Sequence, residues 1–408
     1  MKRYRKEDGK ISHFLKSGRG NGKEICAAVI SFTDRGNQLA AQISTALQDC
    51  AKVKTQDSRQ LRYPLKEWCQ RSFASCQLLV FVGAVGIAVR LIAEFIQDKY
   101  QDPAVLVIDE LGNYVIPVLS GHVGGGNDWA RFLGEALGAL PVITTATDLH
   151  GKFAVDVFAA KNKLVISERG LAKEISAAVL RGEAIRFFSE REVFGRMPKE
   201  LQVMQLFPDN KQKAQAERSA ETCQEPEATA AQQRAWGGYS IYVGVKRQTD
   251  MEKTLFLHPK ALALGIGCRK GKSSEEIEAF VLRTLQEAGL AWDSVCGVAS
   301  VDLKKQEQGL VEFCEKWKLS FCTFTPEQLA KVPGTFSESS FVQQEIGIGN
   351  VCERAAVVYA SSLMKGTKKP ALRLPKTAGH GITLAAAEID WSVQVEEVIC
   401  GGNRTRSL

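Results

Sequence analysis

Four stretches of the chain are apolar at most successive positions: "ICAAVISF" (25–32), "CQLLVFVG" (76–83), "PAVLVIDE" (103–110) and "ALALGIG" (261–267). A strand with one wet face alternates apolar and polar residues. A strand that is apolar at successive positions has no wet face to offer. Segments with apolar residues at helical spacing follow three of these runs: "GNQLAAQISTALQDC" (36–50), residues 84–96 and residues 273–287. Strands buried on both sides and alternating with helices predict a largely parallel sheet covered by helices on both faces, the α/β class. The chain as a whole reads as two α/β (Rossmann-like) domains joined by a smaller central α/β segment.

The remaining elements follow the same grammar. "YVIPVL" (114–119) reads as a strand after a tight turn at Gly112-Asn113, residues 126–137 as a helix, and "PVITTATD" (141–148) as a strand. Residues 161–190 repeat strand, helix, strand. Residues 208–235 are polar, repetitive in Ala, Gln and Glu, and nearly free of large apolar side chains; such a segment cannot bury a core and reads as a flexible insertion. Ser273 followed by Glu276 is a capping-box pattern that opens a helix to residue 287. "SVCGVASVD" and "LSFCTFT" read as strands around a helix at 306–317, "PEQLAKV" as a short helix, and 351–364 as a helix. "ALRLPKT" and "GITLAAAEI" close the chain as two strands. The expected segments are a basic tail (1–23), an N-terminal α/β domain (24–158), a central segment (159–257), a C-terminal α/β domain (258–390) and a tail (391–408).

Composition excludes several classes. The 408 residues are 45% hydrophobic and 24% charged, as in an ordinary globular protein. The longest apolar run, Leu78 to Val89, stops at Arg90, short of the roughly 20 residues needed to span a bilayer. Charge without an apolar stretch behind it at the N-terminus predicts no signal peptide, and the cysteines read most simply as thiols kept reduced in the cytoplasm. The eleven cysteines include no C-x-x-C pair, so neither a metal site nor a disulfide framework is expected. The net charge of +7 suits a polyanionic ligand, while the absence of any aromatic-interleaved basic run argues against nucleic acid.

In such sheets ligands bind beyond the carboxyl ends of the strands, so the strand-to-helix turns hold the candidates. Gly83 and Gly86 open a helix where unpaired N–H groups attract anions, with Arg90 one turn on. The spacing is not the dinucleotide fingerprint, and packing explains the glycines equally well. "LSGHVGGGNDWA" (119–130) sets Ser120, Gly121, Gly124 and Gly125 around His122. The glycines can expose N–H donors to a carboxylate or oxyanion, and an imidazole exchanges protons near neutral pH. Asn127 and Asp128 stand where helix caps belong. Asp109 and Glu110, then Thr144, Thr145 and Asp148, end neighbouring strands and can face the same site or simply solvent. "GIGCRKGKSSEE" (265–276) approaches the phosphate-binding loop pattern, but Ile266 stands where its first glycine belongs, so a nucleotide hydrolase is not expected. Arg269, Lys270 and Lys272 at that helix start oppose its dipole and, unless they are simply solvated, point to an anion. The physical reading ends at a large polyanionic ligand in an interdomain cleft.

At these residues the chain resembles the CbiG family of anaerobic cobalamin biosynthesis. The likeness is carried by "GAVGIAVRLIAEFIQDKYQDPAVLVIDELGNYVIPVLSGHVGGGNDWA", "PVITTATDLHGKFAVD", "GIGCRKGKSSEEI", "GIGNVCERAA" and "LPKTAGHGITLAAAE". Gly126 departs from the alanine usual in the family, Arg354 from a smaller residue, and the 208–235 insertion is unusual. The resemblance implies hydrolysis of cobalt-precorrin-5A: a ring-A acetate δ-lactone opens and the methylated meso carbon leaves as acetaldehyde, giving cobalt-precorrin-5B. The substrate would be a cobalt-bearing tetrapyrrole that brings its own metal, with no cofactor, membrane or nucleic acid needed, and neighbouring pathway enzymes as possible partners. It further implies roles. His122 would be the proton carrier oriented by Asp109 or Asp128, and Glu353 a second one, with a plain helix-surface acid as the alternative. The amides of the two glycine turns, including Gly265, Gly267 and Cys268, with Asn127, Thr144 and Thr145, would contact substrate. Arg90, Arg269, Lys270 and Lys376 would grip its carboxylates. A non-catalytic corrinoid carrier and a phosphate- or nucleotide-binding α/β enzyme are the competing expectations.

Overall fold

The computed structural model describes residues 25–98, 101–122, 124–204, 236–247, 251–338, 343–344, 347–364 and 368–395. The readings of 1–23 as a tail and 208–235 as an insertion lie outside them. Described residues up to Lys161 form one compact unit and those from Asn162 another.

The first unit runs β1 (Cys26–Ser31), α1 (Asp34–Leu47), β2 (Lys52–Asp57), α2 (Leu65–Ser75), β3 (Leu78–Val82), α3 (Val85–Ile92), β4 (Ala104–Ile108), β5 (Tyr114–Leu119), α4 (Gly126–Leu137), β6 (Leu140–Pro141), α5 (Ala146–His150) and α6 (Val155–Lys161). Its sheet has the order β2-β1-β3-β4-β5-β6. The first four are parallel to their neighbours, β5 is antiparallel to β4, and β6 is parallel to β5. Register explains the apolar runs. Val29, Val80 and Leu106 lie side by side and face Leu39 and Ile43 of α1 with Trp129 and Leu133 of α4. The next row, Ile30, Phe81 and Val107, faces Trp68 and Cys69 of α2 with Ala88 and Ile92 of α3. Each face has its own core, as the sequence pattern requires.

Two local features depart from expectation. β2 is an edge strand whose one apolar residue, Val53, packs against the core, with no apolar run to announce it. The stretch "PVITTATD" is not a strand: pairing ends at Pro141, and Ala146–His150 turns helical up to Gly151, whose φ of 58° stops the helix. That change moves Asp148 from a strand end onto α5.

The second unit contains β7 (Leu164–Ile166), α7 (Arg169–Arg181), β8 (Ala184–Ser189), β9 (Val193–Gly195), β10 (Leu201–Val203), β11 (Trp236–Val243) and β12 (Thr254–Pro259). It continues with β13 (Leu262–Cys268), α8 (Ser274–Glu287), β14 (Val295–Val301), α9 (Gln308–Lys316), β15 (Ser320–Phe324), α10 (Pro326–Ala330), α11 (Cys352–Leu363), β16 (Ala371–Gly379), β17 (Ile382–Glu388) and β18 (Val393–Val395). Two five-stranded sheets result, β10-β8-β11-β12-β7 and β15-β14-β13-β17-β16. Parallel pairs dominate the first, while the second joins a parallel half to an antiparallel half. Leu262, Leu264 and Ile266 pack with α8 and α9, and Ala263 with α11. The expected tail from 391 begins with structure: Val393–Val395 pairs in parallel with β9. Among the described residues no helix is long and apolar enough to cross a membrane.

Candidate functional site

The turn from β5 to α4 is wound tightly on itself. Ser120 takes φ 50° and Gly125, which precedes the helix, φ 77°. The amides of Gly125, Gly126 and Asn127 donate to the carbonyls of His122, Ser120 and Gly121 at 3.2, 3.1 and 2.7 Å. A Cβ at Gly124 would stand 2.2 Å from Ser120 Cβ, and one at Gly121 would stand 2.7 Å from Asn127 Oδ1. The glycines therefore leave room for the Asn127 side chain and for Ser120, whose carbonyl oxygen would stand 2.4 Å from a Cβ at Gly124. This corrects the expectation of an open row of donors: Gly124 is buried, and the amide of Gly125 is turned inward.

What the winding achieves is the placement of His122. Its Nδ1 lies 2.9 Å from Asp148 Oδ2. Asp148 also accepts from Asn127 Nδ2 at 2.9 Å and, through Oδ1, from Arg131 Nη2 at 2.6 Å. Burial alone would raise the Asp148 carboxyl pKa, but the bonds from His122 and Arg131 outweigh it and hold the group well below the usual carboxylate range. An ionised carboxylate only accepts, so the neutral ring is assigned its proton at Nδ1 and its lone pair at Nε2. Nε2 faces Thr147 Oγ1 at 3.2 Å and Asp156 Oδ1 at 3.7 Å. The His122 side chain keeps 20% of its surface exposed, against 11% for Asp148, so the ring is reachable and its partner is not.

The carboxylates expected to orient His122 take other partners. Asp109 closes the β4–β5 turn, accepting from the amides of Leu111 at 3.0 Å and Tyr114 at 2.7 Å. Asp128 pairs with Arg131 at 3.0 Å. Asn127 does not cap α4; it lies inside the first turn, buried, and reaches Thr145 Oγ1 and Asp148. Thr145 thus belongs to the network, whereas Thr144 is exposed beside it. Arg131, Thr147 and Asp156 went unread in the sequence. Two of them stand in "PVITTATDLHGKFAVD", where the strand reading hid the helical turn that brings Thr147 and Asp148 to the ring.

The other candidates divide similarly. The Gly83 amide donates to Ile108 O at 2.8 Å, and a Cβ there would meet Phe32 at 3.0 Å, so this glycine serves packing and not an anion. Gly86 and Arg90 are exposed, with the guanidinium lying over the Gly86 carbonyl at 3.2 Å. Gly265 and Gly267 sit within β13, paired to β17, and not in a ligand turn. A Cβ at Gly265 would fall 1.8 Å from Cys352 O, because α11 crosses directly over it. Burial pushes the thiols of Cys268 and Cys352 up to about 11, so both are protonated at neutral pH. Arg269 and Lys270 are exposed, while Lys272 is paired with Glu276 at 2.6 Å.

Glu353 is neither a surface acid nor an open proton carrier. It is 2% exposed. Oε2 accepts from the Ser337 amide and hydroxyl and from Asn350 Nδ2, at 2.9, 3.2 and 2.7 Å. Oε1 accepts from the Lys376 amide at 2.7 Å, which an irregularity in the β16–β17 ladder turns away from its strand. The Lys376 residue is half-buried. Among the described residues no group of three or more His, Cys, Asp or Glu side chains is arranged to hold a metal ion.

A mixed α/β protein with an aspartate-held imidazole at a strand-to-helix turn belongs to the class equipped for general acid–base chemistry. Residues 67–148, 153–259 and 262–387 match the families described as Cobalamin synthesis G N-terminal, Cobalamin biosynthesis central region and Cobalamin synthesis G C-terminus. The cobalt-precorrin-5A hydrolase of Priestia megaterium is 30% identical over 89% of this chain and 95% of its own length. That of Salmonella typhimurium is 30% identical over 73% of this chain and 80% of its own. The crystal structure of a cobalamin biosynthesis protein G homolog from Sulfolobus solfataricus covers 93% of this chain and all of that one, at 20% identity and a TM-score of 0.39. The chain belongs to the CbiG family.

Proposed function

We propose that the chain hydrolyses cobalt-precorrin-5A in cobalamin biosynthesis, opening the ring-A acetate δ-lactone and releasing the methylated meso carbon as acetaldehyde to leave cobalt-precorrin-5B. Membership of the family and the names of its relatives support the substrate. The observation that carries the chemistry is the His122–Asp148 pair. Lactone opening needs a base to take a proton and an acid to return it. Nε2 has the lone pair for the first task, and Asp156 stands close enough to stabilise the charged ring between the two. Asp148, held by Arg131 and Asn127, fixes the ring so that this nitrogen and not the other faces the site.

The substrate carries acetate and propionate groups around its rim. Arg90, exposed in the same unit as His122, is a cation that such groups attract. Cobalt enters with the substrate, and the reading assigns no cofactor resident in the protein.

The test is anaerobic incubation of the purified protein with the lactone-bearing cobalt tetrapyrrole, followed by an acetaldehyde assay. Stoichiometric acetaldehyde is expected. Binding of the substrate without acetaldehyde would identify a carrier and defeat the proposal.

A further inference from the structure

We infer that the Thr147 hydroxyl is the nucleophile of this site, so that the lactone opens by acyl transfer to the protein before water enters. This rests on the function proposed above. Thr147 Oγ1 lies 3.2 Å from His122 Nε2, and His122 Nδ1 lies 2.9 Å from Asp148 Oδ2. Alcohol, imidazole and carboxylate stand in the order and at the separations that a base-activated hydroxyl requires.

Three features make this arrangement more than a polar contact. Thr147 and Asp148 are consecutive on α5, so one turn supplies both ends of the triad and His122 closes it from the glycine loop. Among the described residues several helical hydroxyls return to a carbonyl four residues back, as those of Ser44, Thr45, Ser75, Ser176 and Thr284 do. Thr147 lies in the first turn of α5, with no helical carbonyl behind it, and directs its hydroxyl to the ring. Finally, Thr147 is 8% exposed while the His122 side chain is 20% exposed. A largely buried protein alcohol thus faces the basic nitrogen at 3.2 Å.

The step balances with one water. Nε2 takes the Thr147 proton as Oγ1 bonds to the lactone carbonyl carbon. The ring carbon–oxygen bond breaks, and the departing oxygen receives that proton. The substrate is then an ester of Thr147. Water, deprotonated by the same nitrogen, attacks the ester carbon. The threonine oxygen leaves with the proton, and a free acetate side chain results. Because the acyl group and the leaving oxygen belong to one macrocycle, the ester carries the whole substrate mass until acetaldehyde departs.

This intermediate is directly observable. The parent protein is mixed anaerobically with the lactone substrate, quenched in acid within the first turnover, digested and weighed by mass spectrometry. Acetaldehyde is measured in parallel for the parent, Thr147→Val and Thr147→Ser. The expected result is a peptide containing Thr147 that carries the substrate mass, with or without acetaldehyde. Thr147→Val, close in shape, should release acetaldehyde at least about a hundredfold more slowly at an unchanged melting temperature, while Thr147→Ser keeps the adduct. A parent that releases acetaldehyde without an adduct at Thr147 overturns the inference and leaves the proposed function standing. A Thr147→Val protein within about a hundredfold of the parent does the same. A parent that releases no acetaldehyde overturns both.

Discussion

His122 is informative because both of its nitrogens are accounted for. Asp148 holds one and Thr147 faces the other, so the ring has a single working orientation. Replacing His122 by Ala removes the proposed proton carrier and leaves the glycine loop's backbone bonds in place. Turnover should fall about a hundred- to ten-thousandfold with the circular dichroism spectrum unchanged. Asp148 also ties the site to stability. Its carboxyl pKa lies below that of an unfolded aspartate, about 3.9, so the folded state gains wherever the unfolded group would be ionised. That gain is complete at neutral pH and is lost as the pH falls below about 4 toward the folded value. Asp148→Asn should therefore flatten the acid limb of stability against pH, measured by urea denaturation between about pH 3 and 7; an unchanged acid limb would mean the network contributes nothing to folding.

Elements here are held by side chains that the sequence presents as candidates for chemistry. Glu353 binds the start of α11 to residues 337 and 350 and to β16, with all four donors aimed at one carboxylate. Glu353→Gln would set an N–H group against those donors. A loss of about 1–3 kcal/mol is expected from the denaturant midpoint, because a buried donor without an acceptor costs its full desolvation. Gly265 makes a related point. Its missing side chain lets α11 cross β13, and Gly265→Ala would place a Cβ 1.8 Å from Cys352 O. Poor yield of folded protein is expected, read from soluble expression beside the parent. Ser273 and Glu276, in contrast, form the capping box that their spacing announces.

Over the whole molecule the net charge of +7 suits the proposed substrate, whose rim would carry carboxylates. Attraction between exposed charges weakens as salt shortens the screening length, from about 10 Å at 0.1 M to about 3 Å at 1 M. KM should rise with sodium chloride while kcat changes little, since the His122 network is largely withdrawn from solvent. Steady-state assays across that range would show it, and a kcat that collapses in step with KM would place the salt-sensitive charges in the chemistry itself.

The alternation of apolar runs with helical spacing was sufficient to specify mixed α/β layers, because a strand with no wet face has to be covered twice. The capping box, the ends of α4 and the β5 strand were legible for the same reason: each depends on residues close together in the chain. The long motifs were sufficient to suggest the family. The edge strand β2 was silent, since a single apolar residue at a sheet edge carries no periodic signal. Which carboxylate holds His122 depended on the tertiary fold. Asp109, Asp128 and Asp148 were equivalent as residue types, and the choice followed from a five-residue helix where β propensity had favoured a strand. The glycines were visible as a loop, but whether their amides face a ligand or their own backbone is settled by contacts across the turn. Spacing along the chain encodes local geometry, whereas a site assembled from residues 122, 127, 131, 145, 147, 148 and 156 exists only once separate elements are packed together.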